Sequence, residues 1–166
     1  MRRTAARTAA LPDPAAMSDR VRIATAADGP AIGRLLHRFN AEYDEPTPAP
    51  ERIAARIAEL MAAGGTAVLL AGDGPDGIIV LRFQPSIWSE GEEAYIAELY
   101  VVGERRRGGL GSELMTAALE LCRDRGCDYV FLGTDEGDAD AHRLYERFGF
   151  TNRSGTELMY VYEREL

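Results

Sequence analysis

The chain has 166 residues, a length that supports one domain with a single substantial core. Hydrophobic residues make up 46% and charged residues 28%, and no apolar run approaches the roughly 20 residues a bilayer span requires, so the composition is that of a soluble protein and excludes a membrane partner. The net charge of -8 excludes nucleic acid as a general partner and suits a cationic or polar ligand.

Residues 1–16 are mostly Ala, Arg, Thr and Pro with almost no large apolar side chain, which cannot offset the entropy of ordering, so they read as a disordered tail. Met17 is then a candidate start, and residues 17–166 form a single domain. Val21 to Thr25 alternates like a short strand, and Asp28 with Pro30 opens a helix whose Ile32, Leu35, Leu36 and Phe39 share one face. That helix ends in an acidic loop, Asn40 to Pro46. His37 within it reads as an ordinary surface position.

A second helix runs from Pro50 to Ala62 and is stopped by Gly64-Gly65. Thr66–Ala71 and Ile78–Phe83 form a hairpin across the turn-rich Gly72–Gly77, and Gln84–Glu93 reads as a loop carrying Trp88. Ala94–Val102 is the central strand. After Arg105–Ser112, a helix holds Leu110, Leu114, Ala118, Leu121 and Cys122 at helical spacing until Gly126. Tyr129–Leu132 reads as a strand buried on both faces, Asp138–Arg147 as the last helix, and Leu158–Tyr162 as a closing strand. Cys122 and Cys127 read as small buried hydrophobes. With only His37 and His142 to join them from distant positions, no metal site is expected.

Arg105-Arg106-Arg107-Gly108-Gly109-Leu110-Gly111-Ser112 joins the central strand to a helix. Glycines let successive backbone N–H groups converge, and the helix start adds its positive dipole end, which makes an anion cradle. A Walker loop is excluded because the chain has no lysine, and a dinucleotide fingerprint because the third glycine is missing. Arg106-Arg107-Gly108-Gly109-Leu110-Gly111 instead resembles the Arg/Gln-x-x-Gly-x-Gly/Ala signature of the GNAT superfamily of N-acetyltransferases. Asp138-Ala139-Asp140-Ala141-His142-Arg143-Leu144-Tyr145-Glu146-Arg147-Phe148-Gly149-Phe150 is similar to that family's second motif, Asn-x-x-Ala-x-x-x-Tyr-Glu-x-x-Gly-Phe.

The resemblance implies a mixed α/β fold: a central, mostly antiparallel sheet flanked by helices and splayed between the fourth and fifth strands. It implies acetyl-CoA as co-substrate, with its pyrophosphate on Arg106, Arg107, Gly108, Gly109, Leu110, Gly111 and Ser112, and its pantetheine on the backbone of Leu99, Tyr100 and Val101. Asp138 stands where the family has asparagine, and ionised aspartate only accepts hydrogen bonds, which alters its contact with the cofactor. The resemblance further implies that acetyl passes directly to a primary amine, with no metal and no covalent enzyme intermediate.

An ammonium of pKa near 10.4 costs about 4.6 kcal/mol to deprotonate at pH 7, so a base is needed. Glu98, a carboxylate in an apolar strand, is the candidate, acting through a water; a strand-edge ion pair with an arginine is the competing reading. Tyr145 occupies the place of the family's general acid toward the leaving thiolate, against a reading as a packing residue. Glu42, Tyr43 and Trp88 lie in the loops expected to frame the acceptor, and the acids there point to a cationic small-molecule amine in the cytoplasm. Alternatives are a protein lysine or N-terminal acetyltransferase and a catalytically inactive CoA-binding module. A homodimer is the family expectation.

Overall fold

A computed structural model describes residues 18–166; the tail assigned to residues 1–16 and the start at Met17 lie outside the described residues. These residues form two compact units, 18–132 and 133–166. The first contains β1 (Val21–Ile23), a 3-10 turn (Ala26–Asp28), α1 (Gly29–Glu42), α2 (Pro50–Ala62), β2 (Thr66–Ala71), β3 (Gly77–Pro85), β4 (Glu92–Val101), a second 3-10 turn (Gly103–Arg105), α3 (Leu110–Asp124) and β5 (Cys127–Phe131). The second contains α4 (Ala139–Arg147) and the short strands β6 (Arg153–Ser154) and β7 (Glu157–Leu158).

The five strands of the first unit lie in sequence order. Each neighbouring pair is antiparallel except β4–β5, which is parallel. Alternation along β2 and β3 divides the core into two layers. Val68, Leu70, Ile78 and Val80 face α1 and α2, packing with Ile32, Leu35, Ile57 and Tyr100. Leu69, Ile79 and Leu81 point to the other face, where α3 packs on β2, β3 and β4 and buries Leu114, Met115, Ala117 and Ala118. The corner from β1 into α1 is fixed by Arg22, which donates to both Asp28 carboxylate oxygens at 2.8 and 2.6 Å and holds that carboxyl well below the usual carboxylate range.

Two features of β4 position the site. Val80 pairs with Glu98 and Leu81 with Ile96, so Ala97 is an extra, bulged residue. Pairing with β5 covers only Glu92 to Tyr95, opposite Cys127 to Phe131, so beyond Tyr95 no described strand pairs with the β5-facing edge of β4. This is the splay between the fourth and fifth strands.

Three elements differ from expectation. The loop after β3 shrinks to residues 86–91, because Gln84 pairs with Glu93 and Pro85 with Glu92, and Ser86 N–H donates to the Gly91 carbonyl at 3.0 Å. Polar residues on an outer strand face carry no hydrophobic signal, so these strand ends read as loop. β5 is not buried on both faces: it is an edge strand of the first unit, with Asp128 and Tyr129 exposed. The closing strand is reduced to Glu157–Leu158, which pairs only with Arg153–Ser154; residues 159–166 have no regular structure and are exposed.

Candidate functional site

The open edge of β4 presents particular backbone groups. Val102 N–H donates to the Asp76 carbonyl at 2.9 Å on the β3 side. Antiparallel alternation therefore turns the backbone of Tyr100 toward β3 and that of Leu99 and Val101 to the open edge. Of the three residues expected to meet the cofactor through their backbone, two thus face the splay. Tyr100 instead contributes a buried ring that stacks on Phe39 at 5.1 Å.

The edge leads through Val102 and the second 3-10 turn into the cradle. Arg106 is extended, and Arg107 and Gly109 take positive φ angles of 63° and 88°. Gly109 is the N-cap of α3, and its carbonyl accepts from Ser112 and Glu113 N–H at 3.0 Å each. The N–H groups of Gly109, Leu110 and Gly111 precede that first turn, and no described backbone carbonyl takes them. They are the donors an anion would use. A cavity of about 220 Å³ beside them is lined by Arg20, Gly72, Asp73, Glu104, Arg105, Arg106, Gly108 and Leu110.

Several charged side chains around the cradle carried no local signal in the sequence. Arg20 reaches from before β1 to pair with Glu113, and Ser18 donates to the same carboxylate at 2.7 Å. Arg105 donates to Asp76 in the β2–β3 turn at 3.1 Å, and Arg38 of α1 to Glu104 at 2.7 Å. These partners lie 29 to 95 residues apart, so only the fold brings them together.

Glu42, at the end of α1, has two partners inside its unit. Tyr100 Oη donates to it at 2.9 Å, and Arg106 Nη2 lies 2.5 Å from its other oxygen. Burial and this carboxylate push the Tyr100 phenol up to about 12, so it stays a donor. Arg106 also donates from Nε to the Val101 carbonyl at 2.9 Å, and its guanidinium lies 5.6 Å from the Tyr100 ring centre. With Arg38, Ala41, Gly103 and Glu104, Glu42 lines a wide depression of about 620 Å³. Tyr43 is exposed beside it, edge-on to Phe39 at 5.5 Å.

Glu98 is half-buried at the bulge, and by its pairing with Val80 it lies on the sheet face that α1 and α2 cover. Desolvation raises its carboxyl above the ordinary glutamate range. No arginine among the described residues pairs with it. Trp88 is 74% exposed at the tip of the β3–β4 turn.

In the second unit, Asp138 caps α4: its Oδ1 accepts from Ala141 N–H at 3.0 Å, a task an acceptor-only carboxylate performs well. Tyr145 is half-buried on α4, edge-on to Phe150 at 6.2 Å, and His142 bonds the Asp135 carbonyl at 3.0 Å. Cys122 and Cys127 are both free thiols; Cys122 is buried, and its thiol is pushed up to about 12 by burial and by the neighbouring Cys127. Among the described residues no three His, Cys, Asp or Glu side chains group as a metal site.

An open strand edge leading into a backbone anion cradle agrees with the sequence family. The model of the acetyltransferase (GNAT) family matches residues 32–150. The chain belongs to the GNAT acetyltransferases.

A crystal structure from Arthrobacter sp. FB24 that carries an acetyltransferase assignment is 42% identical, covers 93% of this GNAT chain and 100% of that one, and superposes with a TM-score of 0.84. An aminoglycoside acetyltransferase from an uncultured soil metagenomic sample, in complex with sisomicin, shares the fold at 20% identity (TM-score 0.72, 89% of this chain and 95% of that one). The mycothiol acetyltransferase of Thermobispora bispora is 47% identical over 75 residues, which make up 43% of this chain. That match spans 25% of the relative's length, so the likeness to the mycothiol enzymes is to one part of them.

Proposed function

We propose that the chain is an acetyl-CoA-dependent N-acetyltransferase that moves acetyl to the primary amine of a small cationic molecule in the cytoplasm. The observation that carries this reading is the continuity of the β4 edge at Leu99 and the Val101 N–H with the N–H groups of Gly109, Leu110 and Gly111, which no described backbone carbonyl takes. A chain-like ligand ending in phosphates suits that arrangement: extended backbone pairing for an amide-bearing arm, then converging donors at a helix start for the anion. Gly108, Ser112 and the Arg107 guanidinium complete the cradle.

Acetyl-CoA supplies the acetyl group activated as a thioester. Glu98, its carboxyl raised by desolvation and without an arginine partner among the described residues, is the base that takes the ammonium proton through a water. Tyr145 is the acid for the departing thiolate, and Asp138 sets the start of the helix that carries it. Of the acids in and next to the Asn40–Pro46 and Gln84–Glu93 segments, Glu92 is paired with Arg125 at 2.9 Å and Glu42 with Arg106, whereas Asp44, Glu45 and Glu90 are exposed beside Tyr43 and Trp88. These exposed acids support a cationic acceptor. The mycothiol relatives support acetyl transfer through the part they share, which gives no reason to assign their acceptor to this chain.

The test is titration calorimetry with acetyl-CoA, followed by thiol-release assays over polyamines, aminoglycosides and neutral amines. Binding with turnover favouring cations is expected. Rates indifferent to acceptor charge would remove the electrostatic part, and a chain that binds without turnover would be a CoA-binding module.

A further inference from the structure

We propose that Glu42 is a positioning residue for the cofactor cradle and does not contact the acceptor amine. The inference rests on the acetyl-CoA reading above and concerns how this chain prepares that site.

One carboxylate holds two groups from opposite ends of a short path. Its first oxygen is 2.5 Å from Arg106, the residue that opens the glycine-rich loop; its second accepts from Tyr100 of β4, whose ring is buried in the core and stacked on Phe39 of α1. Arg106 in turn bonds the Val101 carbonyl, the last outward-facing acceptor of β4. Glu42, Arg106, Tyr100 and Val101 thus form a closed loop of contacts that fixes the chain between the strand edge and the first free N–H of the cradle. A carboxylate held by a different donor on each oxygen gives geometric definition beyond its Coulomb energy.

Each half depends on the other. The Tyr100 phenol sits in an apolar environment and needs an acceptor for its proton, which Glu42 supplies. Arg106 has an ionic partner at the end of α1 and a carbonyl partner at the end of β4, so its guanidinium staples the loop, while the anion is left to the backbone donors of Gly109 to Gly111. Without Glu42, Arg106 would be free to leave the Val101 carbonyl, and residues 102–108 would have to be ordered when the cofactor binds.

The charge of Glu42 makes the test decisive. Removing a carboxylate beside an anion site should, by Coulomb's law alone, tighten binding of a phosphate-bearing ligand. Positioning gives the opposite sign. For Glu42→Gln and Glu42→Ala, we expect acetyl-CoA affinity by calorimetry to weaken, on the order of tenfold for Glu42→Ala, with the KM for the amine unchanged. In an Arg106→Ala background the further change Glu42→Ala should have little effect, because the residue it positions is gone. Tighter cofactor binding in the single variants, full additivity in the double variant, or a raised amine KM with unchanged cofactor affinity would each overturn the proposal. Circular dichroism and melting temperature identify a variant that fails to fold; Glu42→Gln, which keeps an acceptor for Tyr100, then carries the comparison. A parent protein that does not bind acetyl-CoA would overturn the functional reading and this inference together, whereas a binding parent with additive variants would overturn this inference alone.

Discussion

Gly33 of α1 and Pro50 at the start of α2 meet without room for a side chain between them: a Cβ on Gly33 would collide with the Pro50 carbonyl and lie 3.2 Å from the Ala54 methyl. The two helices cover the sheet face that holds Glu98 and Tyr100, so their spacing sets the wall of the site. Gly33→Ala gains about 1 kcal/mol of helix propensity, but must push a backbone group aside, an overpacking cost of roughly 1 to 3 kcal/mol. The variant should melt a few degrees below the parent. A higher melting temperature would show that the helices separate freely.

At Gly109 the constraint is conformational. A Cβ there would meet Glu113 Oε1 at 3.5 Å and Arg20 Nη2 at 3.9 Å, ordinary contacts, but the φ of 88° is one that L-residues adopt at a cost of about 1 to 2 kcal/mol. Gly109→Val should relieve that strain by re-shaping the cradle and abolish acetyl-CoA binding, with the core of the first unit intact. Gly109→Asn, which tolerates left-handed backbone, should retain measurable binding. Calorimetry on the pair checks this; equal affinity for parent and Val variant would place the anion site elsewhere. Arg107→Ala should weaken binding less, and the loss should fade at high salt.

Most of the first unit was legible because its signals are local: Pro30 and Gly64-Gly65 bound helices, Gly72 to Gly77 marks a hairpin, and the glycines after Arg107 announce a strand-to-helix turn. The bulge at Ala97 was not. Ile96 and Tyr100 have the same parity, yet the register puts Ile96 opposite Leu81 on the α3 face and Tyr100 opposite Ile78 on the α1 face, and only non-local pairing inserts the residue that flips them. The acids of the first acceptor loop carried a sign but no partner: Glu42 reads as a free anion until Arg106, far along the chain, is folded against it. The apolar letters of Leu158–Tyr162 suggested a full strand, but strand formation requires a pairing neighbour, and only Glu157–Leu158 has one.

Glu98 yields a prediction in which stability and activity move oppositely. Desolvation raises its carboxyl pKa in the folded chain. Between the ordinary glutamate value of about 4.3 and the raised value, the folded state binds more protons than the unfolded one. The stabilising contribution is therefore complete below the unfolded pKa and is lost as pH rises through the folded pKa. Glu98→Gln should consequently melt higher than the parent at pH 7, with the difference shrinking on acidification below the ordinary value. Turnover should fall by roughly 10²- to 10⁴-fold if the carboxylate is the base, and the acidic limb of the parent's rate profile should disappear. Parent-like turnover in Glu98→Gln would assign the proton to another group.

Tyr145 is tested by an interaction that matters only while the C–S bond breaks. A hydroxyl donating to the thiolate adds little to ground-state binding, so Tyr145→Phe, which keeps the ring beside Phe150, should leave acetyl-CoA affinity and melting temperature nearly unchanged. The general-acid contribution is worth roughly 10²- to 10⁴-fold in turnover. A thiol of pKa about 8.5 is a tolerable leaving group and water can replace the donor, which places the expected loss at the lower end of that range. The remaining rate should become more sensitive to the leaving group, so a thioester of a more acidic thiol should narrow the gap between variant and parent. If Tyr145 serves only to pack α4, the change should spare the rate and lower the melting temperature instead. Turnover, cofactor affinity and melting temperature measured on this one variant separate the cases; an unchanged turnover number, with acetyl transfer shown to be rate-limiting, would remove Tyr145 from the chemistry.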